Sequence, residues 1–287
     1  MSLIAEYQRE LERLMAGTDD TRRLMKLQVK FDEKEEAREQ KDGPRDNFSK
    51  YAKAYKVNYD KSNRTKPVFG MIIHTTGGGA PNAAHEEGIS VLEWCARRYS
   101  KSYGCHYVNG HKGAAGGELI LVGTEEEKPW TVGMTDQNKS IRAGRWTKDI
   151  SATTLKYWNL NWGHKYKHGN DLFPGNSANN VYVGMEMPPV HWWNKKKKKT
   201  VISPKPMREG LRFTRAQHDT CILLAIDLAE RHNWPDGWWL TPRVIGHEEL
   251  SPISRSQKSG GWDPGWLRAK PYFDFGYVRD EIARLVS

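Results

Sequence analysis

His74, Glu186, His247 and Asp263 are the residues whose types and surroundings suit chemistry. His74 closes the apolar run "PVFGMIIH" and leads into "TTGGG". His247 follows "RVIG", a short β-branched run that reads as a strand. Asp263 sits in "WDPGW", where Pro264 and Gly265 force a turn. The segment from His247 to Asp263 has three competing readings: metal ligands, solvated loop residues, or the start of a metalloprotease helix. The last needs H-E-x-x-H, so that two imidazoles share a helical face. Ser251 stands where the second histidine would be, and that reading fails. Taken alone, a histidine at a strand end is more often a hydrogen-bonded structural group than a ligand. Together His74, His247 and Asp263 lie at two strand ends and a rigid turn, and strand ends at one sheet edge are where α/β proteins place their sites. Two neutral imidazoles and one carboxylate suit a catalytic zinc ion with a fourth position left for water.

Glu186 lies in "VYVGMEM". By the period of two, Val181, Val183, Met185 and Met187 share one face of a strand, and Tyr182, Gly184 and Glu186 the other. A glutamate in so apolar a strand is costly unless paired or functional. Gly184 beside it is expected to leave room for a ligand. The plainer alternative is an edge-strand glutamate facing water.

The elements that must hold these residues mix strands and helices. "PVFGMIIH", "CHYVN", "ELILVG", "NNVYVGMEM" and "RVIGH" read as strands. "AHEEGISVLEWCARRYS" and "FDFGYVRDEIARLV" read as amphipathic helices. "FTRAQHDTCILLAIDLAERHN" is the clearest helix, with Thr214 and Gln217 as a capping box and Ile222, Leu223, Ile226 and Ala229 as its buried face. The pattern predicts an α/β fold, a central mixed β-sheet flanked by helices. Ahead of it, residues 3–39 read as helix with two apolar stripes, Leu3/Tyr7/Leu11/Leu14 and Leu24/Leu27/Phe31. Gly17 separates the stripes, and Gly43-Pro44 ends the polar stretch that follows. This predicts a solvated helical arm and linker over 1–60, dispensable for chemistry, and a zinc domain over 61–287. The run "NKKKKK" (194–199) reads as a loop, either a solvated charge run or a contact for anionic wall polymers.

The chain has 287 residues and a formal net charge of +10. Residues 1–50 hold 11 Lys/Arg against 12 Asp/Glu, so the excess lies in the rest, where an anionic partner would bind. No helix-turn-helix, zinc-finger or RNP-like motif supports nucleic acid as that partner. No apolar run is long enough to span a membrane. The N-terminus "MSLIAEYQRELERL" is too charged for a signal peptide. Cys95, Cys105 and Cys221 form no C-x-x-C pair, and Cys95 and Cys221 fall in apolar helical patterns as core residues.

At the segments "GMIIHTT", "GCHYVNG", "NNVYVGMEM", "FTRAQHDTCILLAIDLAERHN" and "VIGHEELSP…WDPG", spanning about 66–280, the chain resembles the zinc-dependent N-acetylmuramoyl-L-alanine amidases of the type-2 amidase and peptidoglycan-recognition-protein superfamily, phage endolysins among them. The resemblance implies His74, His247 and Asp263 as zinc ligands and Glu186 as the catalytic carboxylate. Many members place a lysine two residues before the aspartate ligand. Here Gly261 stands there, and Lys258 is the nearest lysine and the expected oxyanion stabiliser. Where some members carry a catalytic tyrosine, Cys105 precedes His106. His168, Tyr182 and Thr75 are expected to bind substrate. The implied activity is cleavage of the amide between N-acetylmuramic acid and L-alanine. The implied setting is a phage lysin or virion wall hydrolase, acting from the host cytoplasm on the wall or carried on the virion. A bacterial cytosolic muropeptide-recycling amidase and a non-catalytic peptidoglycan-binding module are the alternatives.

Overall fold

Strand β2 (Gly70–Thr75) is buried along all but its last residue. It is the centre of the computed structural model, which describes residues 19–42, 48–55, 63–100, 104–131, 178–202, 205–241, 243–250, 255, 263–266, 268 and 270–287. Strand β5 (Tyr182–Met187) runs parallel to it in full register, so His74 stands opposite Glu186. Strand β8 (Val244–Gly246) pairs parallel on the other side of β2. Strand β3 (Tyr107–Asn109) adds to β5, β4 (Leu119–Leu121) returns antiparallel to β3, and β1 (Lys53–Ala54) closes that edge parallel to β4. The six strands lie in the order β1-β4-β3-β5-β2-β8. The central strands are parallel and covered on both faces, which is why their sequences are nearly continuous apolar runs. The expected mixed sheet flanked by helices is the observed fold.

The side-chain alternation sorts the sheet into two faces. Met71, Ile73, Val183, Met185, Met187 and Val244 enter the main core. Helices α4 (Arg215–Arg231) and α6 (Phe275–Val286) supply the rest of that core through residues such as Leu224, Leu228, Val278 and Ile282. The capping box at Thr214 and Gln217 is present. The Gln217 amide also donates to the carbonyls of Asn109 and Pro188, tying the start of α4 to two strand ends. On the opposite face lie Ile72, Tyr182 and Ile245, and farther along the same rows His74 and Glu186. Helices α2 (Gly79–Glu87) and α3 (Val91–Tyr99) cover that side through Ala80, Cys95 and Ala96. Cys95, Cys105 and Cys221 are all buried, and among the described residues they form no disulfide. Among the described residues no helix is long and apolar enough to cross a membrane.

The N-terminal segment departs from a solvated arm. Helix α1 (Asp19–Asp42) packs on α4 and α6, and Leu24 is fully buried in the main core. Thr21 donates to Glu281 at 2.8 Å, Arg23 forms a two-pronged pair with Asp219, and Phe31 meets Tyr51 edge-on at 4.9 Å. β1 also belongs to the main sheet, so α1 and β1 pack with the sheet and helices that follow. The highly polar outer face of α1 hides the fact that Leu24, Leu27 and Phe31 have a partner surface. The stripe Leu3/Tyr7/Leu11/Leu14 lies outside the described residues. Leu24→Ala is therefore expected to lower stability by about 2–5 kcal/mol, the cost of an unfilled core cavity. An unchanged denaturation midpoint in urea would show that α1 does not contribute to the core.

The lysine run also departs from a simple loop. It is the tip of a hairpin of β6 (His191–Asn194) and β7 (Lys199–Ile202). Trp192 faces Val201 across the pair, and Asn194 accepts from the Lys197 amide at 3.0 Å. Flanking β-branched and aromatic residues make the strands, and the asparagine starts the turn.

Candidate metal centre

β2 delivers His74 to the carboxyl end of the sheet, and β8 delivers His247 beside it. Both imidazoles are 1% exposed, and their ring centroids are 4.6 Å apart. Asp263 reaches the same point from the Pro264-Gly265 turn and is 6% exposed. Its Oδ2 lies 3.2 Å from His74 Nδ1 and 2.9 Å from His247 Nδ1. One ligand atom from each of the three residues falls within 4.8 Å of the others, so this buried group could hold a metal ion.

The charge states fit that use. Burial pushes His247 down to about 4, which keeps it in the neutral form that ligates. Burial pushes the Asp263 carboxyl up, but His74 and His247 outweigh it and hold it well below the usual carboxylate range. A buried site with two imidazoles sharing one carboxylate oxygen, and with His74 Nε2 buried and unpartnered, suits a cation at its centre.

The supports around the three are dense. The Thr75 amide donates to Asp263 Oδ1 at 2.5 Å. His247 opens a one-turn helix, α5 (His247–Leu250), rather than a loop. The next two residues, both buried, brace the site. Glu248 Oε1 accepts from the amides of Gly265 and Trp266, and its own amide donates to the Asp263 carbonyl. Glu249 accepts from the Gly246 amide and from Arg279. These second contacts orient the ligands, as metal sites require. Sequence reading missed both glutamates, although two adjacent acids directly after a ligand were the available signal.

Glu186 stands across from His74, 8% exposed, with Oε2 unpartnered. Burial pushes its carboxyl up to about 7. His74 and Arg255 pull the other way, Asp263 adds to the rise, and a hydrogen bond from Tyr99 at the end of α3 opposes it. Tyr99 was not singled out in the sequence, because it sits at a helix end outside every strand motif.

Between His247 and Asp263, Arg255 is placed at the ligands. Its guanidinium lies 3.7 Å from Asp263 Oδ2 and 3.4 Å from His247 Nε2. Lys258 and His168 lie outside the described residues.

Two more of the expected residues are placed in the structure. Thr75 Oγ1 donates to the Met187 carbonyl and accepts from the Gly77 amide, so its side chain braces the loop after His74. Tyr182 is 1% exposed and packs on Phe69 at the other end of β5, four residues from Glu186, where it offers no surface to a substrate. The space above Gly184 is taken as well. A Cβ there would come within 2.9 Å of Thr131, so the glycine admits a neighbouring side chain rather than a ligand.

The chain matches no family model, no curated protein and no solved structure. The likeness to the zinc amidases therefore rests on the residues quoted above and on what their geometry permits.

Proposed function

We propose that this protein is a zinc-dependent N-acetylmuramoyl-L-alanine amidase that hydrolyses peptidoglycan, as the residues shared with that family suggest. The observation that carries the proposal is the convergence of His74, His247 and Asp263 at one buried point, with Glu186 opposite His74. The two imidazoles and the carboxylate would hold the ion. Bound there, zinc would polarise the amide carbonyl and lower the pKa of a water toward about 7.

The chain's own groups do the rest. Glu186 takes a proton from the attacking water at Oε2, the unpartnered oxygen, and gives it to the departing L-alanine nitrogen. Its raised affinity for a proton in the buried site matches a group that must both accept and release one near neutral pH. Tyr99 holds the Glu186 carboxylate in place. A cation stabilises the charge that develops on the carbonyl oxygen, and this falls to Arg255 or Lys258. Burial of the ligands keeps bulk water from screening these contacts.

The bond cleaved is tested by mass spectrometry of purified muropeptides incubated with the protein. Products ending in a free lactyl carboxylate and a new L-alanine amine are expected. Intact muropeptides, or cleavage at another bond, would rule the activity out. The oxyanion role is tested by Arg255→Met and Lys258→Met at equal zinc occupancy. The variant that removes the stabiliser is expected to lose on the order of 10²-fold in kcat with a smaller change in KM. Near-wild-type kcat in both would assign the stabilisation to other groups.

A further inference from the structure

Tyr272 is held between two guanidiniums. Arg212 Cζ lies 3.5 Å from its ring centroid and Arg268 Cζ 3.7 Å. Two guanidiniums have no room on one face of a phenol ring at these distances, so they stack on opposite faces. The ring's π-face attracts each cation, but the two cations repel each other across it.

Of the carboxylates among the described residues, only that of Glu248, which does not touch either guanidinium, acts electrostatically on Arg268. Among the described residues neither side chain has an ion-pair or hydrogen-bond partner, and Arg212 Nε is buried and unpartnered. Arg243, over Phe69, likewise lacks an acidic partner among the described residues, whereas two other stacked arginines have one. Arg215, over Tyr277, reaches Asp20 at 2.6 Å, and Arg279, over Phe275, reaches Glu249 at 2.9 Å. Burial lowers the pKa of both Arg212 and Arg268; the Arg212 charge lowers that of Arg268 further, and Glu248 opposes the fall. A stacked pair with no direct acidic partner among the described residues is stabilised further by an anion that reaches both.

The pair stands on the loops that leave the metal centre. The Tyr272 amide donates to the Gly265 carbonyl at 2.8 Å, and its ring packs so closely over Gly265 that a Cβ there would come within 2.8 Å. Gly265 is two residues past Asp263. The Arg212 amide donates to the Tyr272 carbonyl, and the Arg212 carbonyl accepts from Val190, just past the end of the strand that bears Glu186.

We propose that Arg212 and Arg268, stacked on the two faces of Tyr272, form a subsite that holds a carboxylate of the peptide whose amide the neighbouring centre cleaves. This rests on the amidase reading and names the part of the substrate that the site selects. Guanidiniums take carboxylates through paired N–H donors, which suits recognition by a rigid fork.

The test uses the zinc-loaded full chain, Arg212→Gln and Arg268→Gln, with melting curves to show that the variants are folded. The substrates are a muramoyl tripeptide with its carboxylates free and the same compound with them converted to primary amides. Wild type is expected to have a KM about tenfold or more lower for the free acid, the size of one charged hydrogen-bonded contact. Each variant is expected to lose that preference through KM, with kcat on the amide form little changed. Equal KM for both forms in wild type, or a preference retained in both variants, would overturn the subsite. Failure to cleave either muropeptide would instead count against the amidase reading. Calorimetry with the free tripeptide then still decides the subsite. Weaker binding by both variants than by wild type keeps it; no binding, or equal binding by all three proteins, overturns it.

Discussion

His74→Ala and Asp263→Ala are each expected to strip the metal and abolish hydrolysis. The three ligand atoms converge within 4.8 Å, and each residue is buried, so removing one leaves too few donors and no other described side chain to replace it. Loss of a supporting residue around a metal typically costs 10–100-fold in affinity, and loss of a ligand should exceed about 100-fold. The check is metal content by mass spectrometry after dialysis against a weak chelator. Stoichiometric zinc in both variants would refute the ligand assignment. Asp263→Ala carries a second expectation. Oδ1 accepts from the Thr75 amide and Oδ2 faces both imidazoles, so this change also loosens the loop after His74.

Glu186→Gln is expected to keep the fold and the metal while turnover falls about 10²–10⁴-fold, the usual range for a general acid–base group. Glutamine is nearly isosteric, and it removes the proton-carrying oxygen without leaving a hole in β5. The carboxylate already resists ionisation because it is buried, so a neutral side chain is well tolerated there. The measurement pairs kcat on a soluble muropeptide with zinc content of the same sample. Loss of zinc along with activity would make Glu186 a ligand rather than a proton carrier. Turnover within a few-fold of wild type would remove it from the chemistry.

The strands and the residues at their ends were legible because a buried parallel sheet leaves a simple trace: short apolar runs, each stopping at a polar residue. His74 and His247 stop two such runs, and Glu186 breaks the alternation of a third. The long helix was legible from its capping box. Residues whose roles depend on loop conformation were not. The resemblance pointed to Lys258, which lies outside the described residues, and spacing alone did not mark Arg255, whose guanidinium lies beside Asp263. Glu248 and Glu249 were not singled out, although backbone amides freed by the turn at Gly265 and by the end of β8 need acceptors. Tyr182 shared a face with Glu186, but strand alternation gives the face and not the distance along it. Helix α1 was misjudged for a different reason. Its mean polarity is high, and a narrow buried stripe is weak against so many charges.

The most direct test of the metal centre and its chemistry is a zinc titration of metal-stripped protein while hydrolysis of one defined muropeptide is recorded. If His74, His247 and Asp263 hold the ion that drives cleavage of the muramoyl–L-alanine amide, activity should be absent without metal and return in proportion to added zinc. It should level off at one ion per chain. Full activity in the stripped protein, or none at one equivalent of bound zinc, would contradict that assignment.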